Sequence, residues 1–175
     1  VSPEAAACSI TFGAPSKTFN IAGIVSSYSI VPNDELRMRF HEWMEANEMN
    51  AAPLFSPIAT IAAFRKGEEW RKQMISYIEG NIDFVEEYLK ANIPEITIMK
   101  PQASYLVWMN FSGLGLEHSA LVDMLINKAR LAMNDGAMFG KEGEQHMRLN
   151  VGTTRAILKQ ALDQLKDAVN EIKTK

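Results

Sequence analysis

The sequence predicts a soluble chain of mixed α/β class whose character changes at one long helix. Three observations carry this reading. Apolar residues make up 47% of the 175 and charged residues 22%, an ordinary globular balance. Short β-branched and apolar runs alternate with stretches whose apolar residues recur at helical spacing. One helical stretch, near residues 67–91, is far longer than the others, and strands crowd together only after it. The length suffices for one good core or two small ones.

Residues 6–12 are apolar and β-branched and read as a short buried strand. Residues 24–31 alternate apolar with small polar residues and read as a second, ended by Pro32. Asn33 is a good N-cap, with Asp34 and Glu35 in the first turn where the helix dipole favours negative charge. Leu36, Phe40, Trp43 and Met44 then carry a helix to about Glu48. A proline-containing connection leads to residues 58–64, a nearly uncharged helix expected to be deeply buried. Gly67 opens the longest segment, in which Trp70, Met74, Ile78, Ile82, Val85 and Leu89 form one apolar stripe. Gly80 and Asn81 mark a kink point inside it, and Asn92-Ile93-Pro94 ends it. A domain boundary is expected within this helix, dividing residues 1–75 from residues 76–175.

After the boundary, residues 96–99 and 105–111 read as strands joined by a turn at 100–104. Ser119 is the expected cap of a helix carrying Leu121, Val122, Leu125, Ile126 and Ala129. Residues 134–140 are turn-rich, and residues 145–151 form a strand that contains Arg148. Thr153 or Thr154 caps a last helix striped by Leu158, Ala161, Leu162, Leu165, Ala168, Val169 and Ile172. Such an order predicts an α+β layer with helices on one face.

Charge and composition exclude several functions. A net charge of −3 without a basic cluster argues against nucleic acid, which needs a concentrated cationic footprint. No apolar run approaches the ~20 residues that span a bilayer, so no membrane partner is expected. The N-terminus carries no secretory leader pattern, which points to the cytoplasm. The single cysteine, Cys8, cannot form an internal disulfide and is expected to pack as a small hydrophobe. His41, His118 and His146 share no metal-ligand spacing, so no metal is expected. The chain opens Val1-Ser2-Pro3-Glu4 without an initiator methionine, which reads as a start inside a larger fold.

Two cations sit in unusual company. Lys17 stands among small and hydroxyl residues between the two candidate strands. It is either a loop lysine with its head in water or a site lysine used for phosphate contact or Schiff-base chemistry. Arg148, between Met147 and Leu149, is either an exposed strand residue or a carboxylate-binding fork, a task its planar guanidinium performs better than an ammonium.

The segment Ser16-Lys17-Thr18-Phe19-Asn20-Ile21-Ala22-Gly23 resembles the cofactor-lysine signature of the fold-type I pyridoxal-phosphate enzymes, aminotransferase class I/II. Within that group it is similar to the MalY/PatB-like cystathionine β-lyases, also called C–S lyases. Residues 101–108, 134–140 and 148–152 resemble further stretches of the family in the same order, so the likeness runs essentially from end to end. It implies the C-terminal part of the large cofactor domain over residues 1–75 and the small α+β domain over residues 76–175.

The resemblance further implies pyridoxal 5′-phosphate as cofactor, with Lys17 as its covalent anchor and then the base at substrate Cα. By the same likeness Ser16 touches the cofactor phosphate and Arg148 binds the substrate α-carboxylate. Tyr105 falls in a strand near the cleft, with core packing its favoured role, and Phe139-Gly140 shapes a loop of the active site. Many aminotransferases carry a phosphate-binding arginine eight residues after the lysine. Val25 stands there instead, which moves weight from amino transfer toward β-elimination of cystathionine-like substrates to a thiol, ammonia and pyruvate. Amino transfer remains the alternative, and a non-catalytic role through protein contact a third. The family's homodimer is expected of the full protein. Its acid partner of the pyridine nitrogen and its ring-stacking aromatic would lie upstream of Val1. These 175 residues alone are therefore expected to bind the cofactor weakly or not at all.

Overall fold

The computed structural model describes residues 2–174, which fall into two compact units divided between Met74 and Ile75. The first unit opens with helix α1, Pro3–Ala7, where a strand was expected from residue 6. Ser2 caps this helix, its hydroxyl accepting from Ala5 N at 3.2 Å, and Pro3 sits where its missing N–H is not needed. A capped start followed by three alanines favours the helix locally, so the strand shrinks to β1, Thr11–Gly13. Residues 24–31 likewise keep only β2, Tyr28–Ile30, because a 3₁₀ turn at Ala22–Ile24 occupies the approach to it. The two strands pair antiparallel with Thr11 opposite Ile30. Lys17 therefore does lie between two strands, but these are exposed, with Phe12 at 65% and Ile30 at 56%. Cys8 is exposed as well. It ends α1, and its Sγ donates to the Glu4 carbonyl at 3.3 Å instead of packing in a core.

Helix α2, Asp34–Ala46, begins as expected, with Asn33 Oδ1 accepting from Leu36 N at 2.9 Å. Leu36, Phe40 and Met44 form its half-buried stripe, and Phe40 meets Phe12 edge to face at 5.9 Å. Helix α3, Ser56–Lys66, is not the deeply buried element its composition predicts. Ile58, Ile61 and Phe64 are each at least half exposed, and Ser56 is its one buried residue. The cause lies in the unit itself. Phe19 and Val31 are its only buried hydrophobic side chains among the described residues, so it contains no second layer for α3 to pack on.

Helix α4, Glu68–Asn92, is the long helix, and it runs through Gly80-Asn81 without a break. Asn81 is fully buried, and its side chain works outward from the helix: Nδ2 donates to the Val151 and Thr153 carbonyls at 2.9 Å each, and Oδ1 accepts from Arg155 Nε at 2.7 Å. The absence of a side chain at Gly80 leaves room beside the Arg155 guanidinium, which a Cβ would approach to 3.2 Å. The residues that look like a kink in sequence thus dock the helix against the segment ahead of the last helix.

The second unit is a four-stranded antiparallel sheet in the order β3-β4-β6-β5, built from β3 (Thr97–Met99), β4 (Leu106–Asn110), β5 (Asn134–Asp135) and β6 (His146–Asn150). Helix α5, His118–Asp123, starts at Glu117 without a side-chain cap, not at Ser119, and continues as a π-helical turn over Met124–Lys128. His118, the first residue of α5, is held from another part of the chain, its Nδ1 accepting from Gln145 N at 3.1 Å. Helix α6, Arg155–Lys173, is capped by Thr154. Val107, Met109 and Met147 on one sheet face join Val85, Leu89, Leu121, Leu158, Leu162 and Leu165 from the helices in a single core. Tyr105 packs partly buried against that core. The opposite face carries Trp108, His146 and Arg148, as strand alternation requires. The Tyr88 hydroxyl donates to Asp163 at 2.6 Å between α4 and α6, and burial, then this carboxylate, push the phenol up from its ordinary value.

Among the described residues, no helix is long and apolar enough to cross a membrane, and no group of three His, Cys, Asp or Glu side chains is placed to hold a metal.

Candidate active site

Lys17 sits in a turn over residues 16–20, closed by Phe19 N donating to the Pro15 carbonyl at 2.9 Å and Ile21 N to the Ser16 carbonyl at 3.0 Å. Pro15 and Phe19 point inward and fasten the turn. Phe19 meets Phe64 edge to face at 5.4 Å, and a Cβ on Gly67 would come within 2.8 Å of its ring. Asn20 adopts a left-handed backbone with φ 53°, a conformation asparagine tolerates better than most residues. With its neighbours pinned, Lys17 is presented outward, exposed and without a hydrogen bond or ion pair among the described residues. The half-buried Ser16 hydroxyl beside it is equally unpaired there.

Val25 closes the same loop with φ 51°, a left-handed conformation that is costly for a β-branched side chain. The buried Ser56 hydroxyl stabilises it by donating to the Ile24 carbonyl at 2.5 Å, with the Val25 carbonyl at 3.3 Å. Backbone strain of this kind collects at functional loops. Val25 itself is 68% exposed and offers no charge.

Arg148 lies in β6 between β4 and β5, opposite Trp108 on one side and Asn134 on the other. Its Nη2 donates to Asn134 Oδ1 at 3.0 Å, and its Cζ stands 4.7 Å from the centre of the Phe139 ring. No carboxylate pairs with it among the described residues, and its buried Nε has no acceptor. A half-buried guanidinium without a counter-ion is expensive to maintain, which favours reading it as a site for an anion rather than a strand-edge ornament. Sequence reasoning picked out Arg148 and Phe139 but missed Asn134 as the arginine's partner. The signal was an asparagine fourteen residues away in a turn-rich stretch, and only the strand register turns that separation into contact.

A cofactor bearing an aldehyde and a phosphate requires a free amine with anion donors beside it. The open Lys17 amine, the unpaired Ser16 hydroxyl and the uncommitted Lys17 and Thr18 backbone N–H groups meet that requirement in kind. Lys17 and Ser16 belong to the first unit and Arg148 to the second.

No family model matches the chain. It is similar over 170 residues, at 37% identity, to cystathionine β-lyase PatB of Bacillus subtilis, a match covering 97% of this chain and 44% of that protein. Protein MalY of Escherichia coli is 28% identical over 159 residues, covering 90% of this chain and 41% of its own. Among solved structures, cystalysin from Treponema denticola, which contains a pyridoxal 5′-phosphate cofactor, superposes with a TM-score of 0.92 at 29% identity. That match covers 98% of this chain and 43% of cystalysin. The chain spans less than half the length of these relatives. From end to end the chain is similar, in sequence and in fold, to the C-terminal part of the MalY/PatB-like cystathionine β-lyases, and its fold is that of the fold-type I pyridoxal-phosphate enzymes.

Proposed function

We propose that the protein is a pyridoxal-phosphate-dependent C–S lyase that converts cystathionine or a related cysteine S-conjugate, with water, to a thiol, pyruvate and ammonia. The observation that carries this is the 37% identity to a cystathionine β-lyase across 97% of the chain. On this reading residues 1–75 are part of the large cofactor domain and residues 76–175 are the small domain. The division into units between Met74 and Ile75 supports that assignment.

Each candidate residue then has a defined task. The cofactor, when bound, supplies an aldehyde and a conjugated ring that accepts the electrons of the breaking Cα–H bond. The Lys17 amine holds the cofactor covalently and, once freed by the substrate's amine, takes the proton from substrate Cα. The Ser16 hydroxyl donates to the phosphate. Arg148 holds the substrate α-carboxylate through charge-assisted hydrogen bonds and so fixes which bond at Cα is presented. The sulfur at Cβ leaves as a thiolate.

Amino transfer uses the same Lys17 and Arg148 and differs in where the proton returns. An uncharged Val25 at the position where many aminotransferases carry arginine favours elimination. A homodimer and a cytoplasmic location complete the reading, and the exposed Phe55, Ile58 and Phe64 of the first unit offer surface for subunit contact. The test is to supply the intact protein with pyridoxal phosphate and L-cystathionine and to assay pyruvate. Pyruvate release is expected; amino transfer to a keto acid without pyruvate would overturn the lyase reading.

A further inference from the structure

We propose that Asn134 and Phe139 are positioning residues for Arg148, holding its guanidinium in place for a substrate carboxylate while leaving its charge unneutralised. The inference rests on the reading of Arg148 as the carboxylate site.

The argument begins with what surrounds the arginine. Asn134 in β5 is the register partner of Arg148 in β6, so both side chains stand on the sheet face away from the core. Asn134 Oδ1 takes Nη2 at 3.0 Å, and the Phe139 ring lies against the guanidinium with its centre 4.7 Å from Cζ. A hydrogen bond from one side and a ring from another limit both rotation and tilt of the planar group.

The Phe139 ring is itself held. It meets Trp108 edge to face at 5.7 Å, and Trp108 stacks on His146 at 5.7 Å with the rings 16° apart. Phe139 belongs to the 3₁₀ turn Gly136–Phe139, whose N-cap Asp135 accepts from Ala137 N at 2.9 Å. That turn is pressed against Gly143 so closely that a Cβ there would stand 2.0 Å from the Gly136 carbonyl. The turn cannot drift without opening this contact.

The choice of partner is informative. An asparagine oxygen satisfies Nη2 without cancelling the arginine's charge. An aspartate would make a stronger bond to the same atom and would compete with the incoming carboxylate as counter-ion. A partner needed only for structure would serve better as aspartate; a partner that must leave a cation available has to be neutral.

The test compares Asn134→Asp, Phe139→Leu and Arg148→Ala in the intact holoenzyme, measuring KM and kcat for L-cystathionine together with thermal melts. Asn134→Asp and Phe139→Leu are each expected to raise KM about tenfold, with kcat changed by less than about threefold. Asn134→Asp is expected to melt no lower than the parent, and Phe139→Tyr, which keeps the ring face, to restore KM. An unchanged KM in Asn134→Asp and Phe139→Leu, with a raised KM in Arg148→Ala, would overturn the positioning inference alone. An unchanged KM in Arg148→Ala would overturn the carboxylate reading beneath it. Equal falls in melting temperature with KM unmoved would assign Asn134 and Phe139 to structure and also count against the proposal.

Discussion

Lys17 owes its availability to its neighbours. In the run from Ala14 to Asn20, the buried Pro15 and Phe19 fasten the turn, so the lysine between them is turned out to solvent with no partner among the described residues. A lysine that partners no carboxylate keeps its amine free for covalent chemistry once deprotonated. Borohydride reduction of the holoenzyme is therefore expected to leave the cofactor's mass on the peptide containing Lys17, and Lys17→Ala to leave no label anywhere. Label on a different lysine would remove Lys17 from the site. Local sequence left solvated loop and reactive site equally open for this residue, since both readings place the amine in water. The proposal that Lys17 anchors the cofactor rests on family likeness rather than on geometry. For Arg148 the order is reversed. The strand and its alternation were legible in the sequence, but the missing counter-ion and the Asn134 contact follow from register across three strands, which one-dimensional spacing does not encode.

Element by element, what holds the second unit is the docking of α4 against α6 and the sheet. Asn81 is central to it. One side chain satisfies two carbonyls just beyond β6 and receives Arg155 from the first turn of α6. Asn81→Leu keeps the volume but leaves one buried acceptor, one partly buried acceptor and one donor without partners, at a cost of about 2–4 kcal/mol. The measurement is chemical denaturation of the intact protein followed by a probe in this unit; a loss below about 0.5 kcal/mol would show that the loop finds other donors. The helices that sequence located well are those with caps and a stripe: α2 from Asn33 and α6 from Thr154 carry both signals. The elements it misjudged are short. A strand expected over residues 6–12 gave way to α1 because a serine cap, a proline and three alanines act within a few residues, while strand pairing must be supplied from elsewhere in the chain. Asn81, which reads as a kink point in the sequence, is a contact, because a polar residue inside a helix is decided by its distant partners.

Across the whole molecule the two units differ in how much they bury. Among the described residues, nineteen hydrophobic side chains form one core in the second unit, whereas Phe19 and Val31 are the buried hydrophobics of the first. Apolar burial is the main favourable term in folding, so the first unit by itself has little to resist opening. Hydrogen exchange on this 175-residue chain is expected to exchange amides of α2 and α3 well before those of β4, β6 and α6. Equal protection in both would mean that the apolar residues of α3 find cover. The order of residues along the chain determined the mixed α/β class and the change of character near the long helix, because hydrophobic periodicity is a property of neighbouring residues. It also carried the likeness to the MalY/PatB-like enzymes, through motifs in order around Lys17 and Arg148. Tertiary structure decided what residue order could not: that the apolar α3 and Cys8 are exposed, that β1 and β2 are surface strands, and that Asn134 and Phe139 reach Arg148. The physical reason is the same in each case. Periodicity records which face of an element is apolar, but burial and contact depend on the residues that pairing and packing bring from other parts of the chain.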